Sequence, residues 1–226
     1  MKKLNKTIAL LVLSIVLSNC ASTKLTEAWS SKDFNDTKSK KLLVVARSND
    51  LEVRKAYENE LVSELKEQGI DAVAAHVKFP NLKEDKNRSQ EEIDAILSMF
   101  NKNGIKSIML TALKDTKIES SSAKSPTDYG SASIKGKYGV SFTDYYNVHS
   151  IEYISRNLKP VYNDNASENS FVLSSKTYIL EAVVYNLTLE SDKQLVGIYE
   201  IEATNPSSSQ KILDKFTTLI SKQFKR

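Results

Sequence analysis

The chain has few of the residues from which catalytic and metal sites are usually built. It has one cysteine and two histidines among 226 residues, so no disulfide can form within it. A zinc site needs three or four convergent ligands. His76 and His149 have no neighbouring ligands at metal-binding spacing, and we expect structural roles for both. Since no Gly-x-Ser-x-Gly motif occurs either, we predict no catalytic residues, no metal and no cofactor.

Glycine is also scarce, and half of the six glycines fall between residues 130 and 139. A phosphate-binding loop ends in Gly-Lys-Ser or Gly-Lys-Thr and joins a buried strand to a helix. Here Gly136-Lys137 is followed by Tyr138, and no buried strand leads into the stretch. The pattern therefore argues against nucleotide binding.

An excess of positive charge is missing from most of the chain. Three of the 32 basic residues lie among residues 1–19, which leaves 29 basic against 28 acidic residues in the remainder. Nucleic-acid-binding proteins normally carry a basic excess concentrated on one face. We therefore expect no nucleic-acid partner.

A short leader precedes the single cysteine. Three lysines in the first six residues are followed by an apolar run from Ile8 to Leu17, which is the layout of a secretory signal. The leader ends at Leu17-Ser18-Asn19-Cys20, with small or polar residues before the cysteine. This placement predicts a bacterial lipoprotein signal over residues 1–19. The leader would be removed before Cys20, whose sulfur and amino group would then carry acyl chains.

Two other interpretations of the leader stay open, a transmembrane anchor and an ordinary cleaved signal with an incidental cysteine. The apolar core has about a dozen residues, whereas a membrane-spanning helix needs ~20. Two acyl chains are enough for stable attachment to a membrane. Ala21 stands where an aspartate would retain a lipoprotein at the inner membrane of bacteria with two membranes, so we expect the outer membrane.

Residues 20–40 are mostly polar and are predicted to form an acylated tether that holds the domain off the membrane. Their large apolar residues are Leu25, Trp29 and Phe34. We expect Trp29 and Phe34 to dock on the domain. A surface-binding role is the alternative for Trp29.

Residues 41–226 are predicted to form a single α/β domain, whose first half has the order β-α-β-α-β. Continuous apolar runs are typical of buried parallel strands, and capping residues mark the helices between them. The predicted elements are a strand at Leu42–Ala46, a helix capped by Ser48 or Asp50 and ended by Gly69, a strand at Ile70–Val77, a helix begun by the capping box Ser89–Glu92 and ended by Gly104, and a strand at Ile105–Leu113.

The second half predicts antiparallel strands and a C-terminal helix, which makes the sheet mixed. Two polar stretches, at about 119–139 and 156–171, are predicted to be flexible loops. Residues 178–189 alternate apolar and polar side chains, and residues 195–203 return as their hairpin partner. The last helix has Ser207 and Gln210 in capping-box positions and an apolar stripe: Ile212, Leu213, Phe216, Leu219, Ile220 and Phe224.

The chain resembles a loose family of uncharacterised bacterial envelope lipoproteins, whose domain is similar to the amino-terminal domain of TolB and to CsgG-like proteins. The resemblance implies an α/β fold and an envelope location, and it brings no catalytic residues. It covers most of the chain after the leader. The short motifs that carry it are Cys20 with Trp29, Lys40–Val45, Glu58–Gly69, Ile70–Val73, Tyr185–Leu187, Lys193–Val196 and Asn205–Ser207.

Half of the ten tyrosines concentrate in the segment from 138 to 162, beside the first predicted loop. Tyrosines offer a large area with a polar tip and suit contact surfaces for glycans or proteins. Aromatic packing within the sheet is the alternative. If a binding surface exists, we expect it at Tyr138, Phe142, Tyr145, Tyr146 and Tyr153.

Three functions are consistent with these observations. The first is a non-enzymatic lipoprotein that binds an envelope protein, a glycan or another surface ligand, mainly through residues 125–162. The second is a subunit of a homo-oligomeric export complex. A membrane pore needs strands of about 9–11 alternating residues, and residues 140–154 alternate only in part. The third is a hydrolase whose catalytic residues are dispersed along the chain.

Overall fold

A computed structural model describes residues 22–82, 88–119, 137–148 and 175–225. Its strands are β1 (Ser22–Ser30), β2 (Leu42–Arg47), β3 (Ala72–Ala74), β4 (Ser107–Glu119), β5 (Ser175–Asn186) and β6 (Leu195–Thr204). Its α-helices are α1 (Phe34–Thr37), α2 (Leu51–Glu67), α3 (Ala75–Lys78), α4 (Gln90–Lys102), α5 (Phe142–Val148) and α6 (Ser209–Ser221). Short 3-10 turns lie at Ser191–Lys193 and Lys222–Phe224.

The six strands form one mixed sheet in the order β1-β6-β5-β4-β2-β3. The strands β3, β2 and β4 run parallel. The pairs β4–β5, β5–β6 and β6–β1 are antiparallel. This arrangement confirms the predicted α/β class, with a parallel first half and an antiparallel second half.

Helices pack on both faces of the sheet. On the first face, Leu61 and Leu65 of α2 and Phe216 and Ile220 of α6 pack against the strands. On the second face, residues of α4 and α5 form a separate apolar cluster with the strands. Because both faces are covered, every residue of β2 is buried, as its unbroken apolar run predicts.

Helix α2 begins where its sequence signal predicts. Of the two predicted caps, Asp50 is the one used, and its side chain accepts hydrogen bonds from the backbone N–H groups of Glu52 and Val53. The helix ends before Gly69, whose φ of 79° lies in the left-handed region that glycine adopts without strain.

Helix α4 likewise confirms its prediction. It has the complete capping box between Ser89 and Glu92, and Gly104 follows it in the left-handed region, with a φ of 73°.

Several predicted boundaries are wrong, among them the end of β4, which runs to Glu119 instead of Leu113. The strand expected at Ile70–Val77 is only three residues long, and the chain then forms the short helix α3. At the start of α3, the Glu58 carboxylate accepts a hydrogen bond from the His76 backbone N–H, 2.7 Å away. The cap of α6 is Ser208 rather than Ser207, since the Ser208 side chain accepts from Lys211 N.

The segment predicted to be a tether belongs to the domain from Ser22 onward. Residues 22–30 form the edge strand β1, which pairs with β6. Phe34 docks as expected and is 4% exposed. Trp29 also docks, since it is half-buried against the cluster of the second face. The sequence does not predict β1, because this strand lies at the edge of the sheet and most of its residues are polar.

The leader, Cys20, His149, Tyr153 and most of the two predicted loops lie outside the described residues. Within the described ranges, none of the helices is long and apolar enough to cross a membrane.

Candidate functional site

The predicted tyrosine surface is wrong for three of its five residues. Tyr138, Phe142 and Tyr145 are each at most 1% exposed, and they pack on the second face with Tyr185 and Ile198. Tyr146, another residue of the predicted surface, is half-buried. Aromatic packing, the alternative interpretation, is therefore the role of the three buried residues.

Three glutamates lie side by side under these aromatic residues. The strand register pairs Glu27 with Glu200 and Glu200 with Glu181. Such like charges opposite one another destabilise a sheet. Two lysines offset this repulsion, since Lys114 Nζ lies 2.6 Å and Lys137 Nζ 3.3 Å from Glu200 Oε2. We call these five residues the charge cluster.

Burial sets the pKa values of the charge cluster. It raises the pKa of Glu181, which is 2% exposed, to about 7, although the charge of Lys114 opposes this shift. Burial alone would also raise the pKa of Glu200, but hydrogen bonds and charges from Lys114 and Lys137 hold it below its usual value. Burial likewise lowers the pKa of Lys114, against the opposing effect of Glu200.

The charge cluster holds residues 137–148 on the sheet. Lys114 Nζ donates to the Tyr138 hydroxyl at 3.2 Å, and the Tyr145 hydroxyl donates to Glu181 Oε1 at 3.4 Å. The guanidinium of Arg47 lies 5.3 Å from the ring centre of Tyr145, a cation–π contact. These contacts give the cluster a structural role.

In the structure His76 contacts Glu58, which lies 18 residues before it in the chain. Glu58 is fully buried, and its Oε2 lies 2.6 Å from His76 Nδ1. The same carboxylate also accepts hydrogen bonds from the backbone N–H groups of Ala46 and His76. Because both carboxylate oxygens are held by main-chain donors, the pair joins α2, β2 and α3 and has the structural role expected for His76.

Metal ligation finds no support in the part of the chain that the structure describes. There, no group of three or more histidine, cysteine, aspartate or glutamate side chains is placed to hold an ion.

An apolar cleft on the first face is the best candidate for a ligand site. It lies between the N-terminal halves of α2 and α6 and has a volume of about 310 Å³. Its floor is formed where β2 ends, beside β4 and the start of β5. In open α/β sheets, ligands bind beyond the carboxyl ends of the parallel strands. The lining residues are Ala46, Arg47, Ser48, Val53, Ala56, Tyr57, Thr111, Ala112, Leu113, Tyr178, Leu180, Ser209, Gln210, Ile212, Leu213 and Phe216.

One threonine that lines this cleft has a hydroxyl group without a partner. Thr111 is 3% exposed, and its Oγ1 makes no hydrogen bond within the described structure. A buried hydroxyl without a partner costs about 1–3 kcal/mol. Because this oxygen has almost no accessible surface, its cost falls on the fold and the oxygen is closed off from the cleft.

We expect Thr111→Val to leave the free energy of unfolding unchanged or to raise it by about 1 kcal/mol, because the replacement removes an unsatisfied hydroxyl of nearly the same shape. The matched control is Thr217→Val in α6, where the buried hydroxyl donates to Asp214 O at 3.2 Å. That variant should lose about 1 kcal/mol. Urea unfolding of both variants checks the pair, and equal losses would show that Thr111 has a partner in solution.

A second, shallow groove lies on the other side of α6, beside the start of β1. Exposed lysines of α6 and of the following turn line it together with Ser22 and Pro206. The lysines are Lys211, Lys215 and Lys222. The lining of this basic groove contains no acidic residue.

The comparisons with known proteins leave the family open. No family model matches the chain, and no curated protein is similar to it. Two similar solved structures are PelC dodecamers from Paraburkholderia phytofirmans, one of them a single-residue variant. The variant is 7% identical, covers 91% of this chain and 99% of its own, and has a TM-score of 0.40. The other is 8% identical, covers 91% and 97%, and has the same TM-score.

Proposed function

We propose that the chain is a lipid-anchored, non-enzymatic protein of the bacterial cell envelope, held at the outer membrane, with a domain that binds an apolar ligand. Membership of the envelope lipoprotein family that the sequence resembles is part of this proposal. The observation that carries it is the position of Cys20, two residues before the first residue of β1. Two residues span at most ~7 Å, so acyl chains on Cys20 would hold the domain directly against the bilayer.

The surface around Ser22 suits such a position. Ser22 pairs with Thr204 at the end of β6, beside the basic groove. A lysine close to an anionic membrane contributes about 1 kcal/mol to binding. The three lysines of the groove would therefore support the acyl anchor at the same end of the domain.

The lining of the cleft favours binding over catalysis. Its side chains are aliphatic, aromatic or hydroxylic except for Arg47 and Gln210. General acid–base catalysis needs a titratable group within hydrogen-bonding distance of the substrate. The titratable acid–base groups of the lining are two tyrosines, Tyr57 and Tyr178, and burial raises the pKa of Tyr57 to about 12.

The anchoring proposal is tested by Cys20→Ala in the full-length chain expressed in bacteria. We expect the wild-type protein in the membrane fraction, with a mass increased by acyl chains, and the variant in the soluble fraction. Thermal unfolding of both proteins should agree, since Cys20 precedes the folded domain. A variant that stays wholly in the membrane fraction would refute the lipid anchor.

The open edge of β1 favours a second candidate, a homo-oligomeric component of an envelope export or assembly complex. Within the described sheet, β1 pairs on one side only, and a free edge can extend a sheet between copies. Lys24 and the bulge between Leu25 and Glu27 oppose this pairing. Crosslinking in intact cells separates the candidates, because an oligomer gives a ladder of multiples and a partner protein gives one discrete adduct.

A further inference from the structure

We propose that the basic groove between α6 and β1 is the face of the domain that lies against the bilayer, and that its lysines bind the phosphate groups of anionic phospholipids. The inference deepens the proposed function and rests on the membrane anchoring stated there. It adds the class of lipid that the domain recognises and the side chains that recognise it.

The three lysines of the groove form one line along α6 and the turn that follows it. Lys211, Lys215 and Lys222 stand at positions i, i+4 and i+11, and Thr218 lies between them at i+7. Residues at these spacings share one face of a helix. At 1.5 Å per residue the line is about 16 Å long. It therefore presents several positive charges to one extended surface rather than to a single small site.

The charges of this line are available to an external partner. All three lysines are exposed, and their ammonium groups form no ion pair or hydrogen bond with the described residues. Asp214, the one acidic residue of α6, lies outside the groove lining and accepts a hydrogen bond from Gln210 Nε2 at 2.7 Å. By contrast, Lys24 of β1 is paired with Glu202 at 3.2 Å.

The rest of the lining suits the oxygen atoms of a phosphate group. Lysine binds phosphate as a compact point charge, and hydroxyl groups donate hydrogen bonds to its oxygens. The lining contains no carboxylate that would repel an anion. The residues with hydroxyl groups include Ser22, Thr23, Ser207 and Thr218.

The position of Ser22 identifies a lipid as the source of the phosphate. Ser22 lines the groove and follows Cys20 by two residues, which span at most ~7 Å. Acyl chains on Cys20 would therefore hold the groove at the headgroup layer. Binding of a headgroup then becomes a local event at an effective concentration on the order of millimolar. A soluble anion has no such advantage.

The same chemistry predicts which lipid is preferred. The phosphate of phosphatidylcholine is neutralised by the choline of the same headgroup, whereas phosphatidylglycerol keeps its negative charge. Each lysine close to an anionic membrane strengthens binding about five-fold, so the line of three amounts to about 100-fold. Salt weakens this attraction, because the Debye length falls from ~8 Å at physiological ionic strength to ~3 Å at 1 M.

The first test measures lysine reactivity in the acylated full chain. The chain is reconstituted in vesicles of dioleoylphosphatidylcholine, with or without phosphatidylglycerol, and treated with a water-soluble acetylating reagent. Mass spectrometry gives the rate at each lysine. Phosphatidylglycerol should slow the reaction of Lys211, Lys215 and Lys222 about five-fold, and 1 M salt should restore it. Lys78 and Lys102, exposed on helices of the second face, should react equally in both vesicles.

The second test separates the groove from net charge. Native mass spectrometry of the acylated chain in micelles with equal amounts of phosphatidylglycerol and phosphatidylcholine counts the bound lipids. We expect phosphatidylglycerol adducts to exceed phosphatidylcholine adducts about five-fold or more. The variant Lys211→Gln/Lys215→Gln/Lys222→Gln should lose this preference. The matched control removes the same charge at exposed positions outside the groove and should keep it: Lys78→Gln/Lys102→Gln/Lys193→Gln.

The failure of this inference differs from the failure of the membrane anchor. An acylated chain that floats with both kinds of vesicle, and whose groove lysines react at the same rate in each, refutes the lipid-binding groove and leaves the anchor standing. An equal loss of phosphatidylglycerol in the two triple variants also overturns the groove, because net charge then accounts for the preference. A chain that lacks acyl groups and does not float refutes both proposals.

Discussion

Replacing Glu181 by glutamine is expected to stabilise the fold by about 3 kcal/mol above pH 8. Burial raises the pKa of Glu181 to about 7 from an ordinary value of 4.5. Between these two pH values the folded chain binds more protons at this site than the unfolded chain does, so stability falls as the pH rises. The difference between the two pKa values corresponds to about 3 kcal/mol of folding stability. All of this stability is lost above pH 7. Glutamine is neutral throughout and avoids the loss.

The measurement is the free energy of unfolding in urea for wild type and Glu181→Gln between pH 4 and pH 9. Their difference should be near zero at pH 4 and should grow up to pH 7 to 8. Glu200→Gln is the matched control on the neighbouring strand. The pKa of Glu200 is held below its usual value by Lys114 and Lys137, so the same change there should destabilise the fold at neutral pH. A stability difference that stays the same from pH 4 to pH 8 would contradict the raised pKa of Glu181.

Replacing Phe34 by alanine is expected to cost about 3–5 kcal/mol, the usual effect of deleting a fully buried phenylalanine. The ring centre of Phe34 lies 4.9 Å from that of Phe224 and 5.9 Å from that of Tyr199. Gly197 makes room for it, because a Cβ there would lie 3.1 Å from Phe34 Cε2. The cost is a direct measure of how firmly the segment after β1 belongs to the domain.

Urea unfolding of Phe34→Ala, compared with Lys32→Ala, makes this measurement. Lys32 is exposed in the same segment, and its replacement should change stability by no more than about 0.5 kcal/mol. Equal and small effects at both positions would show that this segment does not pack on the domain and is the tether that the composition of residues 20–40 predicts.

The helices and the central strands are predictable because their signals are local. The Asp50 cap, the Ser89–Glu92 box and the glycines that end α2 and α4 each act within a few residues. The apolar run of β2 likewise predicts a buried strand, since a strand covered on both faces has no polar side.

The edge strand and the candidate site depend on contacts that are distant in the chain. In β1, half-buried residues alternate with exposed ones, but Thr23, Leu25, Glu27 and Trp29 are too mixed to give an apolar face. The charge cluster requires the register that aligns Glu27, Glu200 and Glu181. The cleft requires α2 and α6, which are far apart in sequence. The alternation of Thr23, Leu25 and Trp29 is the one local signal of this strand in the sequence.

The pairing of β1 with β6 also sets the order in which the chain can fold. A chain exported with its leader first delivers Ser22 long before Thr204, its partner in the sheet. Strand pairing over such a separation is slow, so we expect β1 to be the last strand to join. On the proposed route, Cys20 would therefore reach the far side of the membrane well before the sheet closes. The enzymes that cut the leader and attach the acyl chains have that interval in which to act, before the closing sheet draws the site against the domain.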